Sequence, residues 1–220
     1  MNAPLESYET KPSPMIEEYR TLDQAALVFN LAFGLQLDPM PIITLNNRAR
    51  RASGFCKAKA FKHREHEVFV SEVALNPDTF GQRSDKAILS TLAHELVHEW
   101  QNQHGTPSRG GYHNAQWADT MQRIGLMPST TGKPGGKRTG GSVSHYIVNG
   151  GLFDQVASEF LKGVKLQWQG NPNPPCRRDP SKVKYTCPGC GQNAWAKDEA
   201  LLICGNCRKP MKCEEELRGW

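Results

Sequence analysis

Two histidines and a glutamate within five residues carry the strongest chemical signal in this 220-residue chain. In the stretch Leu92-Ala93-His94-Glu95-Leu96-Val97-His98 the two imidazoles stand four apart. At 3.6 residues per helical turn they share one face, about one turn apart, which suits two ligands of a single Zn²⁺. Glu95 adjoins the first ligand and is within reach of a water at the ion's open position. Zinc lowers the pKa of such a water, and a neighbouring carboxylate takes its proton, so Glu95 is the expected general base. A catalytic zinc takes a third protein ligand. His104 stands where one metallopeptidase class places its third histidine, but the glycine that turns the chain there is replaced by Gln101. Asp119 is a further candidate, as a carboxylate ligand, with no supporting motif around it. His113 is favoured: it follows the Gly110-Gly111 turn and precedes Trp117 by four residues, so a returning chain can present it to the metal.

Cysteines form the second constellation. Cys187-Pro188-Gly189-Cys190 and Cys204-Gly205-Asn206-Cys207 are two knuckles, and Gly189, Gly191 and Gly205 permit the tight turns they need. Four thiolates make a closed, tetrahedral and structural Zn²⁺ site. The expected complement is two zinc ions per chain, one catalytic and one structural. Cys56, Cys176 and Cys213 are left over.

Polyanion binding is the third chemistry in view. Around the cysteines, Lys184, Tyr185, Trp195 and Arg208 are candidates for a nucleic-acid surface, cations tracking phosphates and aromatic faces stacking on unpaired bases. The competing role for Tyr185 and Trp195 is to fill a small core. Arg48 to Arg64 holds seven basic residues and no acid. There Arg50, Arg51, Lys57 and Lys59 are candidate phosphate contacts, with Gly54 marking a tight turn. Tyr112, beside His113, is a candidate hydrogen-bond donor to an oxyanion. His63, His66 and His145 have no ligand partner at useful spacing and read as ordinary polar residues.

These residues need a scaffold. The pattern predicts a helix from Thr21 to Leu37, a short strand at 42–45 and a strand over 67–75 with Val68 and Val70 on one face. A helix over 85–103, capped by Ser84 or Asp85, carries the metal-binding pair together with the apolar stripe Ile88, Leu89, Leu92, Leu96 and Trp100. Another helix follows over 114–126. Thr130 to Ser142 reads as a flexible Gly/basic loop, 154–161 as a short helix, and Gly170 to Pro175 as a domain boundary. The expected division is a disordered lead at 1–15, a protease-like domain at 16–130, a Gly/Pro-rich insert at 131–175 and a ribbon at 176–220.

Composition bounds the rest. Hydrophobic residues make up 38% and charged residues 22% of the chain, so a packed core is expected. The 13-residue apolar run at 25–37 is too short to span a bilayer. With no secretory signal in view, a cytoplasmic, reducing setting is expected, in which the cysteines serve as metal ligands. The net charge of +5 is uneven: beyond residue 130 there are 14 Lys and Arg against 8 Asp and Glu. That asymmetry favours a nucleic-acid partner.

His94-Glu95-Leu96-Val97-His98, then Gly111-Tyr112-His113, then Trp117 and a Cys-paired ribbon, together resemble the SprT-like zinc metalloprotease family. The resemblance implies an α+β fold: a zincin-like metalloprotease domain with helices packed on a small sheet, followed by a small four-cysteine zinc ribbon. It implies a zinc metalloendopeptidase acting on DNA-associated or DNA-crosslinked proteins, with single-stranded or damaged DNA as partner. The association expected with DNA is nucleoid-bound, the chain a monomer, and no membrane is involved. The alternative is a non-catalytic, zinc-containing nucleic-acid-binding protein.

Overall fold

The computed structural model describes residues 13–47, 52–171 and 182–213. The chain divides into two units, Met1–Asn171 and Pro172–Trp220. Among the described residues the first unit holds four α-helices and two small sheets and the second a single small sheet, so the chain as a whole is α+β. Among the described residues no helix is long and apolar enough to cross a membrane.

Helix α1 spans Pro14–Ala32, starting earlier than the sequence pattern predicts. Ser13 is extended and Pro14 occupies the first helical position, where a missing N–H costs nothing. Glu18, Leu22, Ala25, Ala26 and Phe29 then keep the buried face. Thr21, where the predicted helix begins, is an interior residue, its hydroxyl donating to the Glu17 carbonyl at 3.0 Å. The helix stops at Phe33, where Gly34 adopts φ +62°, short of the predicted end at Leu37.

The first sheet has the order β1 (Ile42–Leu45), β3 (Phe69–Leu75), β2 (Gly54–Lys62). β1 runs parallel to β3 and β2 antiparallel to it. Strand β2 corrects the reading of Gly54 as a tight turn within this basic segment. Its lysines sit at exposed positions while Phe55 and Cys56 are half-buried, and a register shift falls between Lys57 and Phe61. The face assigned to Val68 and Val70 is also corrected. Val68 is exposed, and the core residues of β3 are Val73, Ala74 and Leu75, at the end of the central strand that is covered on both sides.

Helix α2, Asp85–His104, is capped by the Ser84 hydroxyl, which accepts from the Ala87 N–H at 3.2 Å. It buries Ile88, Leu89, Leu92, Ala93, Leu96 and Val97, and packs against the sheet and against the other three helices. α3 (Ala115–Arg123) is shorter than predicted, because Leu126 begins strand β4 (Leu126–Ser129), paired antiparallel with β5 (Ser144–Ile147). The intervening loop, expected from sequence to be flexible, carries its own backbone hydrogen bonds. Thr130 N–H donates to Lys137 O at 2.9 Å, and Gly140 exchanges both backbone bonds with His113 at 2.8 and 3.0 Å. α4 (Leu152–Phe160) sets Phe153 against Phe29 and Phe33, with ring centres 5.5 and 6.4 Å away. Lys86 Nζ reaches Asp154 at 2.6 Å. The segment set apart by sequence as an insert therefore shares the first unit's core as far as Asn171.

The second unit is a three-stranded antiparallel sheet, order β7 (Asn193–Ala196), β6 (Val183–Thr186), β8 (Lys212–Cys213).

Candidate metal centres

His94 and His98 project from the middle of α2, and His113 comes from the residue before the α3 cap, Asn114. One ligand nitrogen from each of the three lies within 4.8 Å of the others. The tightest pair, His113 Nε2 and His94 Nε2, is 3.3 Å apart. Two nitrogens bound about 2.0–2.1 Å from one tetrahedral ion stand about 3.3–3.4 Å apart, so the spacing fits a shared ion. His104, the competing third ligand, instead places Nε2 2.9 Å from the Gln36 carbonyl. Asp119 is exposed and pairs with Arg138 at 2.6 Å.

Local structure orients each ring. His113 Nδ1 faces the Gly140 carbonyl at 3.3 Å. A carbonyl only accepts, so Nδ1 holds the proton and Nε2 keeps its lone pair for the cluster. Trp117, fully buried, lies under all three imidazoles. It stacks on His98 with ring centres 5.3 Å apart and meets His94 and His113 edgewise at 4.8 and 4.3 Å. Gln101 secures the crossing from α2 to α3, donating to Asn114 Oδ1 at 2.7 Å, the same oxygen that caps α3 by accepting from Trp117 N–H.

Burial sets the protonation states. Desolvation lowers His98 to about 3 and His94 well below the ordinary value, with neighbouring imidazoles adding to both. It also lowers His113, which the Gly140 carbonyl partly opposes. All three therefore stay neutral and available as ligands near neutral pH. Glu95, on the same turn of α2, is lifted by desolvation from 4.5 to about 8. That brings its proton affinity into the range of a general base working near neutrality.

The three histidines and Glu95 line a cavity of about 870 Å³. Its walls are residues 52–56 at β2, the loop at 107–113, and residues 141–147 at β5. Tyr112 lines it too, with the Arg109 guanidinium 5.9 Å from its ring centre. Two wall residues correct the sequence reading. Gly54 is no turn: a Cβ there would meet Ala74 O at 2.8 Å, Thr91 Cγ2 at 2.9 Å and Glu95 Cγ at 3.2 Å. The strand passes so close to α2 that only glycine fits. His145 is not an ordinary polar residue. Its Nδ1 lies 3.1 Å from His94 Nδ1 and its Nε2 2.9 Å from Ser90 Oγ, and burial lowers its pKa to about 4. A position 47 residues beyond His98 left no spacing by which the sequence could flag it.

In the second unit, one sulfur from each of Cys187, Cys190, Cys204 and Cys207 lies within 4.8 Å of the others. Cys190 and Cys204 sulfurs are 3.6 Å apart, near the roughly 3.8 Å that two 2.3 Å bonds subtend at a tetrahedral ion. Backbone N–H groups of Cys190 and Gly189 lower the Cys187 thiol to about 7, toward the thiolate that a metal requires. Tyr185 is buried rather than presented for stacking: its hydroxyl donates to Lys197 O at 3.0 Å and accepts from Ala200 N–H at 2.9 Å. Trp195 is 61% exposed and lies opposite Lys184 in the β6–β7 register, so the two share a face. Arg208 is exposed, as are Lys57 and Lys59 on β2, whereas Arg50 and Arg51 lie outside the described residues.

Neither the curated proteins nor the solved structures contain a match to this chain. A family model does match, the SprT-like family, over residues 24–134, a span that includes His94, Glu95, His98, His113 and Trp117 and stops short of His145. With just over half of its residues matched and its metal-ligand cluster inside that span, the chain belongs to the SprT-like family.

Proposed function

We propose that the chain is a zinc-dependent endopeptidase acting on proteins bound or crosslinked to DNA. The observation that carries this reading is the convergence of His94, His98 and His113 on one side of an open cavity, with the buried Glu95 on the same helical turn. Zinc held by the three imidazoles would supply Lewis-acid polarisation of the scissile carbonyl and a water of lowered pKa. Glu95 takes the proton of the attacking water and returns it to the leaving amine. Walls formed by β2 and β5 leave a trough for an extended polypeptide. A closed structural site has no use for a carboxylate beside its ligands or for an open cavity, which counts against the purely nucleic-acid-binding alternative. Membership of the family supports a DNA-linked substrate, as do the exposed Trp195 and the basic residues around the second metal centre. We assign single-stranded DNA to that second unit.

Glu95→Gln tests the catalytic part. Zinc content should remain at two per chain while cleavage of protein substrate, self-cleavage included, falls by about 10²-fold or more. Equal cleavage by variant and wild type removes Glu95 from the mechanism. Absence of cleavage by wild type with and without single-stranded DNA favours the binding-protein reading.

A further inference from the structure

We infer that His145 is a positioning residue for the metal centre, the acceptor that fixes the tautomer and orientation of His94 through a relay ending at a backbone carbonyl. This rests on the reading of His94, His98 and His113 as metal ligands.

The direction of the relay follows from its far end. The Ala87 carbonyl can only accept, and Ser90 Oγ lies 2.8 Å from it, so the serine proton is committed there. Ser90 Oγ therefore receives the hydrogen bond from His145 Nε2 at 2.9 Å, and His145 carries its proton on Nε2. Its Nδ1 is then a lone pair, and that lone pair faces His94 Nδ1 at 3.1 Å. The only bond available to this pair is donation from His94 Nδ1–H. His94 is left with a lone pair on Nε2, the nitrogen that faces His113 Nε2 at 3.3 Å. Each proton in the chain has one place to go.

His113 obtains the same result from a carbonyl, that of Gly140. Ligating histidines are commonly held by a carboxylate or a carbonyl. Here the element that reaches His94 is β5, which presents a neutral imidazole instead. It follows that β5, outside the segment matched by the family model, is a working part of the metal centre.

The test uses full-length protein and cobalt as the probe. Cobalt at the four cysteines gives thiolate charge-transfer absorption, and cobalt at the histidines does not, so the two ions are counted separately. His145→Leu should weaken ion binding at the histidines by about 10–100-fold in chelator competition, leaving the cysteine ion untouched. His145→Asn, whose Oδ1 can accept near the place of Nδ1, should recover most of that loss. Ser90→Ala should fall between wild type and His145→Leu. In zinc-loaded wild type, histidine nitrogen NMR should find His94 protonated on Nδ1 and His145 on Nε2. That measurement decides the matter if the leucine variant does not fold. Unchanged affinity in His145→Leu, no recovery in His145→Asn, or a proton on His145 Nδ1 overturns the relay. If wild type takes up cobalt at the cysteines only, the metal-centre reading itself fails, and the relay with it.

Discussion

Glu95 is the residue whose environment and chemistry are most tightly linked. Desolvation raises its carboxyl from 4.5 to about 8 in the metal-free protein. Between those values the folded state keeps a proton that the unfolded chain releases, so the contribution of Glu95 to stability falls as pH rises. Glu95→Gln removes that penalty. In chelator-treated protein, the Tm advantage of the variant should be small near pH 4.5 and should widen up to about pH 8. The histidines act in the opposite sense. His98 and His145 are lowered to about 3 and about 4 from 6.5, so the unfolded chain takes up protons first, and stability falls as pH drops below 6.5. Both proteins share that loss, and it cancels in the difference. Adding zinc should shrink the gap, because a cation beside Glu95 favours its ionised form. Parallel pH curves for the two proteins would show that Glu95 is not desolvated.

At the scale of elements, the site depends on how closely β2 and α2 approach. Gly54→Ala places a Cβ 2.8 Å from Ala74 O, which is backbone, and 2.9 Å from Thr91 Cγ2, on a short branched side chain whose hydroxyl is held by Arg83. The expected cost is about 1–3 kcal/mol, measured as a lower denaturant midpoint with an unchanged m-value. Glu95 Cγ would also be displaced, so cleavage per bound metal should drop further than the loss of folded protein accounts for. None of this was legible in the sequence, where Gly54 looks like a turn. What was legible was local: α2, its Ser84 cap and the one-turn spacing of His94 and His98 depend on a few neighbouring residues. The chemistry of His113 was partly legible, because the glycine turn and Trp117 lie close to it. Strand β2 was hidden because its lysines mask the alternation and its partner is chosen by the edge of β3. His145 was hidden because a hairpin, rather than a spacing, brings it to His94. Tyr185 illustrates the same limit, since an aromatic among cations looks the same in sequence whether it stacks on a base or anchors a strand through its hydroxyl.

The whole molecule joins two units that are stabilised differently. Among the described residues the buried hydrophobic cluster lies wholly in the first unit, which can fold on apolar burial. Among the described residues of the second, only Tyr185, Cys187 and Cys204 are buried, and two of those belong to the candidate metal site. On the proposed reading of the four cysteines as a zinc site, metal binding supplies much of the folding free energy that so small a described core does not. Cys204→Ser should therefore lower the zinc count from two to one and abolish the cobalt thiolate absorption, while the main thermal transition of the first unit stays where it was. On the proposed division of labour, the same variant should lose much of its affinity for single-stranded DNA. Trp195→Ala should retain both ions and lose about 1–3 kcal/mol of DNA binding, the worth of stacking on one base. Its salt dependence should match wild type, because the substitution removes no cation. A Cys204→Ser protein that binds single-stranded DNA as tightly as wild type at low salt would move the DNA contact to the first unit, where Lys57 and Lys59, exposed on β2, are the cations to substitute next.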